Sequence, residues 1–333
     1  MKKIVLISND KLYFNRAVVS SDFNDTINII ESLSKESKLY FFSRKNKTKG
    51  SFKTFLNKNV KLKLSKVFSL NLKNKIVFMI SITPFNFMVY FFIKLINKKL
   101  KGFVILRSDG HKEYFIKYGF FGKIFYHFFF DRILKDLKPI IVSKNLSNVE
   151  KHQSLRVYPS EIDDLWKKNL KKADISKPRL LYIGRIKKEK GVFSLLKLIN
   201  ELSIDFNLSI LGVKNNNKSN NIKIKYYKET SKKEKIIEHF DKNNIFILPS
   251  FTEGYPKVLL ESLSRNRPVI VFKEISHVKT NFKGIFVSER NSKSLQKNIL
   301  YILSNYKKIQ KKMKKNKIPT KLKFQNDLRE FIK

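Results

Sequence analysis

Two doubly wound α/β domains facing across a cleft are the architecture this sequence predicts. Short apolar runs of strand length alternate with helical patterns through residues 179–304, and similar runs recur through the first 163 residues. A chain of 333 residues with 42% hydrophobic content can fill two cores, of about 150 residues each.

Ile4–Ser8 reads as a buried first strand, and counting Met1 only five apolar residues precede the polar ones, too few for a signal peptide. Ile76–Ile93 is an 18-residue run interrupted by Ser81, Thr83, Pro84 and Asn86. That length suits a membrane span, but Pro84 among polar neighbours favours a strand (Ile76–Ile82), a turn and a helix (Phe85–Leu100). Gly102–His111 reads as strand then loop. Tyr114–Leu137 carries seven phenylalanines from Phe115 to Phe130, interleaved with Lys117 and Lys123. A core face is the favoured reading; a helix lying on lipid headgroups is the alternative. Pro139–Ser143 and Arg156–Asp163 close the first domain, 1–163, and the polar stretch Asp164–Pro178 reads as a linker.

The second domain, 179–304, opens with the apolar strand of Arg179–Gly191, followed by Gly184, Arg185 and Lys190. Both cations can point from the strand's carboxyl end toward a diphosphate, the arginine as a bidentate fork. Asn207–Leu211, Ile222–Tyr226 and Gly284–Val287 read as further strands, and Asn215–Asn221 as a loop too polar to pack.

The densest information lies in Asn244–Phe272. Ile245–Leu248 is a continuous apolar run, as in a strand covered on both faces. Pro249 and Ser250 end it, Gly254 allows a tight turn, and Pro256 suits the first position of a helix. The amides of Lys257 and Val258 then lack intrahelical partners and lie at the positive end of the helix dipole, a ready anion site. Glu261, four residues past Lys257, shares its face about 6 Å further along and can accept two ribose hydroxyls. Glu253, before the helix, reaches the opposite side. An ordinary βαβ unit with two solvated glutamates would read the same way in isolation.

Towards the end, Ile302, Tyr306, Ile309 and Met313 form one apolar stripe, with lysines on the other faces through Lys317 until Pro319. Composition narrows the classes. There is no cysteine, so disulfide and thiolate chemistry are excluded. No HExxH pair, Walker loop or strand-following GxGxxG occurs, so no metal or cofactor is indicated. The formal charge of +44 attracts polyanions, although the joint abundance of Lys, Asn, Ile and Phe also fits an AT-rich coding sequence. No helix-turn-helix, RNP or zinc-finger pattern supports specific nucleic-acid recognition, so an anionic membrane surface is the better partner.

Tyr182–Gly191 (YIGRIKKEKG), Pro249–Ser262 (PSFTEGYPKVLLES) and Arg267–Val271 (RPVIV), in this order and with about 70 residues between the first two, resemble the retaining GT-B glycosyltransferases of family 4. The resemblance covers the C-terminal half well and the N-terminal half more weakly. It implies two Rossmann-like domains and a nucleotide-diphosphate sugar donor. It implies further that Arg185 and Lys190, beside Gly184, neutralise the diphosphate, and that Glu253 contacts the donor sugar. Glu261 would hold the ribose, and Gly254, Tyr255, Pro256, Lys257 and Val258 line sugar and phosphate.

In the N-terminal half, Asn9–Arg16 stands where the family often has a glycine-rich loop, and Ser160-Glu161 where Asn-Gly is commoner. Many family members place a histidine near the donor sugar at such a strand end, where this chain has Ser108 or Asp109, with His111 slightly later. Asp109 and His111 are therefore the candidate catalytic groups on the acceptor side, with a loop aspartate and an exposed histidine as the alternative reading. Residues 305–333 are expected to cross back onto the N-terminal domain. The function implied is sugar transfer; the basic charge and the Phe-rich N-terminal helices point to an envelope saccharide or lipid-linked glycan as acceptor, and to a cytoplasmic protein peripheral on the inner face of the membrane. A basic nucleic-acid-binding protein or a catalytically degenerate transferase on the same fold are the alternatives.

Overall fold

The structure, a computed structural model, describes residues 2–56, 59–61, 75–97, 99–143, 146, 148–213, 223–279 and 282–332. The chain divides into two compact units, Met1–Pro159 with Leu322–Lys333, and Ser160–Lys321.

The first unit runs β1 (Lys2–Asn15), β2 (Val18–Ser21), α1 (Asn24–Ser34), β3 (Ser37–Lys45), β4 (Phe52–Phe55), β5 (Asn59–Lys61), β6 (Lys75–Ile80), α2 (Pro84–Ile96), β7 (Gly102–Leu106), α3 (Gly110–Leu134), β8 (Lys138–Ile141) and β9 (Leu155–Arg156). Its parallel sheet has the order β5-β3-β1-β6-β7-β8-β9. Ile4–Ile7 in the middle of it are fully buried, as a strand flanked and covered on both faces requires. Beyond a register shift between Ser8 and Lys11, β1 continues as one arm of an antiparallel ribbon with β2 and β4. That ribbon occupies the place of the glycine-rich loop.

The polar residues that interrupt the 18-residue apolar run are what divide it into two elements. Ser81 adopts φ 64°, the Asn86 amide side chain donates to the carbonyls of Ile80 and Ser81, and Thr83 Oγ1 caps α2 ahead of Pro84. No helix among the described residues is long and apolar enough to cross a membrane. α3 is broken at Gly119 (φ 68°, ψ −157°), a conformation close to the glycine-only region. The expectation that its phenylalanines form a core face is corrected. Phe129 and Phe130 are buried, whereas Phe115, Phe120, Phe121, Phe125 and Phe128 are exposed.

The second unit runs β10 (Arg179–Ile183), α4 (Val192–Asn200), β11 (Asn207–Val213), β12 (Ile224–Lys228), α5 (Lys233–Lys242), β13 (Ile245–Leu248), α6 (Lys257–Ser264), β14 (Val269–Phe272), β15 (Ile285–Ser288), α7 (Ser292–Ser304) and α8 (Tyr306–Met313). All six strands are parallel in the order β12-β11-β10-β13-β14-β15, so the strand order reverses between β10 and β13. In a sheet of this winding, ligands bind beyond the carboxyl ends at that reversal. The expected loop Asn215–Asn221 and the first residue of the expected strand Ile222–Tyr226 lie outside the described residues.

Two expectations about boundaries change. Asp164–Pro178 is not a loose linker. Trp166 is buried in the second core, and the buried Arg265 donates to the carbonyls of Trp166, Lys168 and Asn169. The same guanidinium pairs with Asp241 at 2.8–3.0 Å, and Arg267 beside it donates to the carbonyls of Phe240, Asn243 and Lys171. Two arginines thus fasten this segment to the domain by satisfying its backbone carbonyls. The terminal stripe also stays with the second unit, because Ile302, Tyr306, Ile309 and Met313 all join that unit's core. Only the last helix, α9 (Lys321–Ile332), returns to the first unit. There Phe324, Leu328 and Ile332 are buried, and Ser32 Oγ donates to the Gln325 carbonyl at 2.7 Å.

Candidate active site

The carboxyl ends of β10 and β13 carry the two motifs, and a backbone contact joins them. Gly191 sits at φ 68°, ψ 8°, and a Cβ built on it would lie 1.9 Å from the Pro249 carbonyl oxygen. Only glycine permits the loop after β10 to press against the end of β13 in this way. Phe251 N donates to the Glu189 carbonyl at 3.0 Å, a second tie between the loops. The result is a direct ion pair, with Lys190 Nζ 2.7 Å from Glu253 Oε1. Ser250 Oγ donates to the same oxygen at 2.7 Å. Lys190 and Glu253, expected on diphosphate and sugar respectively, hold one another here.

Arg185 stands on the same edge, directly after Gly184. Its carbonyl accepts from Tyr182 Oη at 2.9 Å, and its side chain is exposed, without a hydrogen bond or ion pair among the described residues. Burial pushes the Tyr182 phenol well above its ordinary range, so it remains a hydrogen-bond donor. With Lys190 paired to Glu253, the exposed Arg185 guanidinium supplies the positive charge at the mouth of this strand.

Past Gly254 and Tyr255, Pro256 proves to be the N-cap of α6 (φ −76°, ψ 112°) rather than its first turn. Lys257 and Val258 are then the first helical residues, with amides directed out of the helix end. Lys257 Nζ lies 2.7 Å from Glu161 Oε1, a buried carboxylate from the segment preceding β10. Glu261 follows one turn along α6, half-buried on the Lys257 face. The C-terminal unit thus collects Arg185, Lys190, Glu253, Lys257, Val258 and Glu261 around one helix start.

Three supporting residues escaped the sequence reading. His277 Nε2 donates to the Glu253 carbonyl at 3.0 Å, fixing the turn from behind. Arg290 donates to the Pro249 carbonyl at 3.0 Å, with its guanidinium 4.1 Å and 4.5 Å from the ring centroids of Phe251 and Phe272. Glu161 differs from the commoner Asn-Gly motif, and sequence gives no further sign of its pairing with Lys257. The one signal available for Arg290 was its position just beyond the carboxyl end of β15.

Asp109 and His111 lie in the other unit. Asp109 is the N-cap of α3, its carboxylate accepting from the Lys112 amide at 3.2 Å. His111 is buried rather than exposed, edge-on to Tyr126 and Phe130, with Nε2 within 3.1 Å of His127 Nδ1 and 3.2 Å of Asn148 Nδ2. Burial lowers its pKa, so the ring is neutral at physiological pH. Among the described residues no group of three or more His, Cys, Asp or Glu side chains could hold a metal ion.

Residues 165–319 match the family model described as glycosyl transferases group 1, a span coinciding with the C-terminal unit and its site. A curated relative, the N,N'-diacetylbacillosaminyl-diphospho-undecaprenol alpha-1,3-N-acetylgalactosaminyltransferase of Campylobacter jejuni, is 25% identical over 185 residues. The match takes in 52% of this chain and 47% of that protein, so the chain spans about half the length of the curated relative it matches. Among solved structures, the sucrose-phosphate synthase of Thermosynechococcus elongatus superposes with TM-score 0.68 at 12% identity, covering 99% of this chain and 94% of the other. Anabaena HepE, solved in complex with UDP-glucose, superposes with TM-score 0.70 at 10% identity, covering 100% and 99%. The fold is GT-B. The stretch 165–319 is similar to the group 1 glycosyltransferases.

Proposed function

We propose that this protein is a retaining glycosyltransferase that moves a sugar from a nucleotide-diphosphate donor to a lipid-linked or envelope saccharide. The observation that carries the reading is the convergence of Arg185, Lys190, Glu253 and the start of α6 at the strand-order reversal. The barrier in such a reaction is departure of a diphosphate from a sugar with developing positive charge. Arg185, Lys190 and the Lys257–Val258 amides stabilise the leaving charge by fixed cations and dipoles, a role that calls for no metal. Donor binding exchanges carboxylates for phosphates. Lys190 leaves Glu253, and Lys257 leaves Glu161, which frees Glu253 to accept hydroxyls of the donor sugar. Glu261 accepts from the ribose. The lipid-linked acceptor follows the printed activity of the Campylobacter jejuni relative, and HepE, solved with UDP-glucose, supports a nucleotide-sugar donor. Action on such an acceptor places the protein at the inner face of an anionic membrane.

The test is a thermal-shift screen against UDP-, GDP- and ADP-sugars, followed by donor hydrolysis with wild type, Arg185→Ala and Glu253→Ala. A donor at one hundred times its Kd adds about 2.7 kcal/mol of stability. Both variants are expected to lose that response and the hydrolysis. No response to any nucleotide sugar, together with duplex binding that falls steeply with salt, would favour the polyanion-binding alternative.

A further inference from the structure

The exposed aromatic side chains of the N-terminal unit have no use in the donor chemistry. On α3, Phe121, Ile124, Phe125 and Phe128 fall at spacings of three and four, which places them on one face of the helix. All are open: Phe121 is 83% exposed, Ile124 and Phe125 51%, and Phe128 50%. The stripe continues onto α2 without a gap. Phe128 lies 5.7 Å from Phe87, and Phe87 lies 6.4 Å from the exposed Phe91. Phe120, 64% exposed, extends it at the Gly119 break, where the chain leaves helical geometry. Water-soluble surfaces rarely carry a contiguous aromatic patch of this kind.

The rim is cationic. Lys117, Lys123 and Arg132 are exposed on the same helix and Lys135 at its C-cap; against them stand the exposed Asp131, Glu113, which pairs with Lys117 at 3.6 Å, and Asp136, which pairs with Lys94. The Arg132 guanidinium sits 5.4 Å from the Phe128 ring centroid, so charge and aromatic surface are interleaved.

We infer that the α2–α3 face docks on an anionic lipid bilayer, with the phenylalanines entering the boundary between headgroups and acyl chains and the lysines and Arg132 on lipid phosphates. Charge decides against a second copy of this chain as the occupant. Two such faces brought together would oppose cation to cation, whereas an anionic leaflet complements the rim. The surface belongs to the N-terminal unit and does not rest on the donor reading, so either can fail alone.

The test is sedimentation of the full chain with phosphatidylglycerol–phosphatidylcholine vesicles and with phosphatidylcholine alone. Binding is expected only to the anionic vesicles and to weaken as salt rises. Phe121→Ser with Phe125→Ser should weaken it by roughly tenfold or more, since two buried rings are lost. Lys123→Glu with Lys135→Glu, which leaves the apolar stripe intact, should weaken it comparably. Both variants should keep the wild-type circular dichroism melt and any donor-induced thermal shift. Absence of wild-type binding to anionic vesicles, or binding unmoved by either variant, overturns the inference. A wild-type dimer that Phe121→Ser/Phe125→Ser dissociates would instead assign the face to self-association.

Discussion

Gly191 is where the geometry of the candidate site is most exposed to a single substitution. Gly191→Ala adds a Cβ whose position lies 1.9 Å from the Pro249 carbonyl oxygen, at φ 68°. Contacts to a Cβ below about 3 Å do not occur in packed proteins, so the two loops must separate by about 1 Å. The left-handed backbone costs an alanine about 1–2 kcal/mol, and overpacking against a main-chain atom adds about 1–3 kcal/mol. A loss of about 2–5 kcal/mol corresponds, for a unit of this size, to a fall in Tm of about 4–20 °C. The displacement also separates Lys190 from Glu253 and Ser250, and a shift of about 1 Å in positioned groups costs on the order of 10²-fold in turnover. Differential scanning fluorimetry and donor hydrolysis measure the two effects on the same preparation. Gly191→Asn is the informative companion. Asparagine tolerates the backbone angle but carries the same Cβ, so it should recover only the smaller, conformational part. If Gly191→Ala melts within about 2 °C of wild type, or Asn restores full stability, the steric argument is wrong.

Two further outcomes follow from the packing. Asp241→Asn leaves Arg265, and Arg267 beside it, as buried guanidiniums without their carboxylate, which should cost about 3–5 kcal/mol in urea unfolding of the C-terminal unit; a loss below about 1 kcal/mol would contradict the assigned pairing. Because burial lowers the His111 pKa, the unfolded chain takes up that proton first as pH falls. Its contribution is therefore complete above about pH 7 and declines below about pH 6.5, and His111→Gln should flatten this slope in Tm measured from pH 5 to pH 8, at about those values.

How legible the molecule was depends on how local each signal is. The strands Ile245–Leu248 and Arg179–Ile183 are announced by continuous apolar runs, and the α6 start by Gly254 and Pro256, so both motifs could be placed from sequence. Arg267 illustrates the opposite case. It marks a recognisable motif, yet its work is to bind carbonyls of Phe240, Asn243 and Lys171, which lie far away in the chain. Trp166 gave the one hint that the presumed linker was packed. Periodicity could not separate a core face from an exposed one in α3, because phenylalanine spacing is the same in both. The stripe from Ile302 to Met313 was real, but which core it met depended on the turn at Asn305, between α7 and α8.

The return of α9 to the first unit makes that unit discontinuous. Lys2 Nζ meets the Ile332 carbonyl at 2.6 Å across 330 positions of chain, and Arg329 pairs with Glu36. During synthesis the early sheet must wait, with the groove for Phe324, Leu328 and Ile332 unfilled, until the whole intervening domain has emerged. The later-made half can therefore reach its native state before the earlier-made one. On the ribosome, the unit Ser160–Lys321 is then expected to resist protease first, and emergence of α9 to protect the other.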